Sequence, residues 1–151
     1  MYKDRYRVAP IVRAVEYHMD DNSTQTTIVS PSTFYKADGS TSEGALNKGG
    51  FTLSSNRATY SGPPTYFKVD AIAAMTGGSN KVVALRVALN GTTISSSQSR
   101  TTTTSGRSEN AHAQTYVYLT SGDYVEAYIA NTTDTTNITV KDLSVTVEAV
   151  K

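Results

Sequence analysis

The stretch "LTSGDYVEAYIANTT", residues 119–133, decides the fold class. After a Ser121-Gly122-Asp123 turn, Val125, Ala127 and Ile129 alternate with Tyr124, Glu126 and Tyr128, and a period of two belongs to a β-strand. Both faces of this strand carry groups fit for burial. The aliphatic face suits a subunit's own core, and the tyrosine face calls for a second cover.

The same period runs outward from there. In "TYFKVDAIAAMT" (residues 65–76) Phe67, Val69, Ala71, Ala73 and Met75 share one face, and Gly77, Gly78, Ser79 and Asn80 follow as turn residues. In "KVVALRVALNG" (81–91) Val83, Leu85, Val87 and Leu89 alternate with Val82, Ala84, Arg86 and Ala88. Asn90-Gly91 then signals a hairpin, because both residues accept the positive φ of a tight primed turn. Residues 92–108 hold twelve Ser or Thr among seventeen, and so soon after a hairpin they read as exposed strand in preference to linker. "TYVYL" (115–119) sets Val117 and Leu119 against Tyr116 and Tyr118. The closing "NITVKDLSVTVEAV" (137–150) puts Leu143, Val145, Val147 and Ala149 in phase, with a slip near Lys141-Asp142 dividing them from Ile138 and Val140.

This pattern sits in a chain of 151 residues, enough for one core without disulfides or metal. Its six bases and six acids over 1–50, and eight and seven over 51–151, sum to +1 without a run of one sign. That balance argues against a nucleic-acid partner. Cysteine is absent, which removes thiolate chemistry. No apolar stretch approaches the ~20 residues that span a bilayer, and "MYKDRYRVAP" lacks a signal peptide's apolar centre. The expectation is a soluble protein made without export, with no membrane partner.

Residues 1–50 differ from the rest. In "RVAPIVRAVEYHM" Val8, Ile11, Val12 and Val15 fit a helical stripe, but β-branching and Pro10 equally allow an extended arm. "TTIVSPSTFYKADGSTSEGALNKGG" then offers short apolar runs broken by Pro31, Gly39, Gly44 and Gly49-Gly50. Residues 1–50 therefore read as an N-terminal arm with first strands, and 51–151 as the main all-β domain, a two-sheet sandwich or jelly roll.

The "L-x-x-GDYVE" strand, the "ALNG" hairpin, the "NTT" turn and the closing "LSVTVEA" strand, in this order over residues 66–150, resemble the trimeric jelly rolls of the tumour necrosis factor and complement globular-head superfamily, in the form found in bacteriophage structural proteins. The resemblance implies a homotrimer packed through one sheet of each subunit. On that view Tyr116, Tyr118, Tyr124 and Tyr128 line the threefold axis or its flanks, since four aromatics on one side of two neighbouring strands would leave a monomer with a large apolar patch. Glu126, between two of those tyrosines, must find water, a partner such as Arg86, or a place near the rim of the seam.

Catalytic and metal-binding patterns are weak. His18 and His112 have no ligand-spaced partner, and Asp20-Asp21-Asn22 lacks the further acid of a calcium loop, so a turn explains it. No nucleophile elbow or phosphate loop is present. Asp123 meeting Glu126 or Asp142 is the remaining route to a carboxylate pair, and turns or exposed faces account for those acids better. The expectation is no enzyme, no cofactor and no metal. The sequons at Asn22, Asn90, Asn131 and Asn137 read as turn residues.

Tyr2, Lys3, Arg5, Tyr6, Arg7 and Arg13, against a lone Asp4, form a basic, aromatic arm suited to acidic groups on a partner. A frayed, solvated terminus is the alternative. With no stalk or repeat region, the resemblance points first to a capsid decoration or cement protein. It would be a homotrimer on the outer capsid surface of the virion, anchored by that arm to the major capsid protein. The alternative is a receptor- or sugar-binding tip of a tail fibre or spike, with residues 92–108 offering hydroxyls to a saccharide.

Overall fold

The computed structural model describes residues 12–150. Strands account for the regular structure, and among these residues the one helical element is a 3-10 turn at Ser95–Ser97. The strands are β1 (Ala14–Met19), β2 (Gln25–Thr26), β3 (Tyr35–Lys36), β4 (Ser42–Lys48), β5 (Phe51–Ser54), β6 (Arg57–Tyr60), β7 (Thr65–Thr76), β8 (Val82–Leu89), β9 (Thr92–Thr93), β10 (Ser99–Thr102), β11 (Glu109–Leu119), β12 (Tyr124–Asn131) and β13 (Ile138–Ala149). They build two antiparallel sheets. The first runs β11-β7-β13-β1-β4, with β2 on β13; the second runs β10-β8-β12-β6-β5, with β3 on β12 and β9 on β8.

The alternation sets which face is buried. Phe67, Val69, Ala71, Ala73 and Met75 of β7 turn inward from the first sheet, and Val83, Leu85 and Val87 of β8 with Val125, Ala127 and Ile129 of β12 meet them from the second. Phe51, Tyr60 and Phe67 close one end, their ring centroids 4.9–5.4 Å apart. Removing the Phe67 ring from that contact should cost about 3–5 kcal/mol. The Asn90-Gly91 turn forms with both residues at positive φ, +50° and +77°, and returns the chain into β9. The slip near Lys141-Asp142 is a bulge between Val140 and Asp142 in the β13–β7 ladder.

The first fifty residues are more integrated than an arm with first strands suggests. β1 lies between β13 and β4, and Val15, Tyr17 and Met19 enter the core. The helical option for this region fails at Val15, which pairs with Val147. Tyr17 spans the sandwich, its hydroxyl donating to the Val125 carbonyl (3.3 Å), and burial holds its pKa far above the phenol range. The Ser/Thr-rich segment is part strand and part loop: β9, the 3-10 turn and β10 carry the chain along β8 before the loop 103–108.

Candidate subunit interface

Register pairs define rows across the outer face of the first sheet. Tyr118 of β11 sits opposite Tyr66 of β7, their rings 4.9 Å apart, and the Val150 N–H donates to the Tyr66 carbonyl (2.9 Å). One row further in, Tyr116 lies opposite Lys68, and Lys68 opposite Glu148. The next row is Gln114, Asp70, Thr146 and Glu16, and after it come His112, Ile72, Ser144 and His18. Asp70 holds both Lys68 Nζ and His112 Nε2 at 3.1 Å. Beyond Ile72 the face opens into a shallow groove of about 440 Å³, lined by His18, Met19, Ile72, Ala74, Asn110 and Asp142 among others.

This face is wet and aromatic at once. Tyr66, Tyr116 and Tyr118 are 59, 62 and 49 % exposed, and Ile72, Val12 and Val150 join them. Among the described residues every exposed large apolar side chain except Val29 lies on this face or at its edge. The Tyr66, Tyr116 and Tyr118 rings carry apolar area that water solvates poorly, which makes this end of the face a candidate interaction surface.

The sequence placed Tyr116, Tyr118, Tyr124 and Tyr128 on one side of two neighbouring strands, and the topology corrects this. β11 belongs to the first sheet and β12 to the second, so the two tyrosine pairs look outward from opposite sides of the sandwich. The Ser121-Gly122-Asp123 turn is an inter-sheet crossover, held by the Gly122 N–H on the Tyr60 carbonyl and the Tyr60 N–H on the Asp123 carbonyl (2.8 Å each). Asp123 fixes the same turn by accepting from the Thr120 N–H (2.7 Å) and Asn90 Nδ2 (2.8 Å), bonds that hold its carboxyl below the usual range. It is thereby committed to structure and faces neither Glu126 nor Asp142 as a catalytic partner.

On the outer face of the second sheet the chain partly covers itself. Residues 28–38 form a strap whose β3 pairs with β12, placing Lys36 opposite Tyr128. Arg86 lies over the Phe34 ring at 4.2 Å and grips Gln98 Oε1 through Nε and Nη2, so it is not the partner of Glu126. That partner is Lys36, with Nζ 3.4 Å from Oε1 of a carboxylate only 3 % exposed. Arg57 stacks on Tyr124 at 4.3 Å. Glu126 Oε2 and Arg57 Nε are buried without a hydrogen-bond partner. Burial and the Glu126 charge raise the pKa of Tyr128. Asn131, wholly buried, ties down the "NTTDTTN" turn by donating to Asp134 and Thr136 and accepting from the Thr133 and Asp134 N–H groups, and its carbonyl accepts from Ser32 of the strap.

Of the other residues singled out, Tyr2, Lys3, Arg5, Tyr6 and Arg7 lie outside the described residues, and Arg13 leads into β1. Tyr66 and Ile72 went unnoticed; their signal is the polar side of the β7 alternation, where a tyrosine and an isoleucine stand in phase with Lys68 and Asp70. Among the described residues no three His, Asp or Glu side chains converge as a metal site.

No family model and no curated protein matches the sequence. Solved structures do. PRD1 vertex protein P5 superposes with a TM-score of 0.63 at 10 % identity, covering 95 % of this chain and all of that one. Murine APRIL gives 0.60 at 10 % identity over 90 and 99 % of the two chains, and the globular domain of zebrafish complement 1qA gives 0.56 at 12 % over 89 and 94 %. At such identities the likeness speaks for the fold, and it agrees with the strand order: the chain is a jelly-roll sandwich of the tumour necrosis factor type.

Proposed function

We propose that the chain is a bacteriophage structural protein that decorates the outer surface of the capsid as a homotrimer, bound to the major capsid protein and stabilising the shell without catalysis. The observation that carries this reading is the uncovered face of Tyr66, Tyr116 and Tyr118. Threefold packing through that sheet would bury it, whereas on the other face Glu126 is buried and Tyr124, Tyr128 and Arg86 are already half-buried within the subunit, which favours the first face for the seam. The likeness to a vertex protein of PRD1 over nearly the whole chain supports a place in a virion. Residues 1–13 serve as the anchor in this reading. Binding the assembled shell in preference to its parts stabilises that shell by mass action.

An electron cryo-microscopy reconstruction of the particle tests it. Density for the sandwich in many copies at local threefold positions on the shell is expected. A few copies on the tail alone would instead make it a receptor-binding tip.

A further inference from the structure

The bulge between Val140 and Asp142 in β13 shapes the groove at the end of the first sheet away from Tyr66 and Tyr118. Lys141 leaves the ladder to meet Asp21 (2.8 Å), and Asp142 comes to the outer face, where its Oδ1 accepts the Asp21 N–H (3.1 Å). Ile72, Ala74 and Leu143 give the groove an apolar lining, with Ile72 47 % exposed, and the exposed carboxylates of Asp20 and Asp142 stand beside them. Among the described residues neither carboxylate is in an ion pair. Apolar lining next to two unpaired carboxylates suits an arginine, whose stem covers carbon while its guanidinium takes oxygen.

The described cations divide by place. Lys36, Lys68, Lys81 and Lys141 are paired with acids, and Arg57 and Arg86 lie on the rings of Tyr124 and Phe34. Arg13 and Lys48 flank Ala14, at the other end of β1 from the groove. Arg100, opposite Ala84, shares the outward side of the second sheet. Arg107 remains. It closes a tight turn, its N–H donating to the Thr104 carbonyl (3.2 Å) with Gly106 at φ +74° in the third position. That turn runs into β11, the edge strand of the first sheet, whose Asn110 lines the groove. Arg107 therefore stands at the sheet edge, level with the groove along the strands, exposed and in no ion pair among the described residues.

A threefold ring is heterologous: at each seam one patch of a copy meets a different patch of the next. The tyrosines and the groove lie toward opposite ends of the same strands, so an axis that buries both runs along those strands, and rotation about it leaves every residue at its own height. We propose that Arg107 of each copy enters the Asp20 and Asp142 groove of the next, its guanidinium against the carboxylates and its stem over Ile72. This deepens the decoration reading and rests on it for the threefold ring. A second copy suits the groove better than a foreign partner, because the chain itself carries the complementary group at the matching height. The tyrosines then supply the apolar part of the seam, and the Arg107 contact gives the ring its direction.

The chain contains no cysteine, so an introduced pair is a clean reporter. Arg107→Cys with Asp20→Cys, treated with a short bismaleimide, should give two- and three-copy bands on a denaturing gel, and neither single variant should. A link confined to one copy, or no link, would overturn the contact. By light scattering over a dilution series, Arg107→Glu should raise the trimer's dissociation constant at least about tenfold, and adding Asp20→Arg should restore most of the loss. Should the reversal misfold, Arg107→Gln is expected to weaken the trimer in the same direction, by less. A trimer indifferent to both Arg107 variants would overturn the contact and leave the trimer standing. A wild-type chain that stays monomeric at every concentration would remove the trimer and the contact with it.

Discussion

The two outer faces of the sandwich begin from similar residues and end differently. Each carries paired tyrosines on a long strand, Tyr116 and Tyr118 on β11, Tyr124 and Tyr128 on β12. Around the second pair neighbouring side chains give partial cover, with Lys36 on Glu126, Arg57 on Tyr124 and Phe34 against Arg86. Over the first pair, among the described residues, nothing lies. An aromatic face is thus no sign of assembly in itself; what distinguishes the two is whether the same chain supplies the cover.

The sharpest way to break the comparison is to alter each face in turn. Tyr118→Asp puts an unpaired carboxylate in the proposed seam and should cost about 3–5 kcal/mol of association, leaving monomers by light scattering. Tyr124→Ser should keep the trimer mass and lower the unfolding free energy by about 1–2 kcal/mol, through lost ring burial and the lost Arg57 contact. The opposite pattern of masses would move the seam to the second sheet.

Next in size is Asn131→Ala. It removes two donated and two accepted hydrogen bonds that a buried side chain makes to a turn that also holds Ser32 of the strap. A loss of about 2–4 kcal/mol is expected by urea titration, with faster amide exchange in residues 30–37. Unchanged exchange there would show that the strap does not depend on the turn. Phe34→Ala should cost about 1–2 kcal/mol and expose the Arg86 face without changing the trimer mass.

The smallest effect is acid-dependent. The Lys81 and Thr136 contacts hold the Asp134 carboxyl well below the ordinary value near 3.9. A depressed folded pKa contributes stability that is present above the unfolded pKa and disappears as pH falls through the folded one. The deficit of Asp134→Asn should therefore stay constant from pH 7 to about 5 and shrink below about 4, as followed by urea midpoints. Because the group is exposed, a small deficit throughout is expected. A deficit that widens in acid would contradict the assignment.

Much of the fold is legible in the sequence because period-two alternation reports burial directly: β7, β8, β12 and β13 turn inward the residues their pattern names. The sheet assignment of β11 and β12 is not legible. A Ser-Gly-Asp turn serves a hairpin and an inter-sheet crossover with the same local chemistry, and the deciding contact, Gly122 with Tyr60, spans sixty-two positions. Glu126 was equally opaque, since Lys36 reaches it from ninety positions earlier. The candidate site depends on that sheet assignment: only with β11 beside β7 do Tyr66 and Tyr118 meet.

The hydrogen bond between Ala149 and Arg13 brings the two ends of the described chain within one peptide's reach of each other. The sandwich is therefore a closed loop in all but covalent connectivity, and its linear order is replaceable. A circular permutant joining Val150 to Val12 through a few glycines and opened at Ser105-Gly106, in an exposed loop with free space around Gly106, should fold to the same two sheets. Such a permutant would carry its new ends at the opposite end of the sandwich from Val12 and Val150.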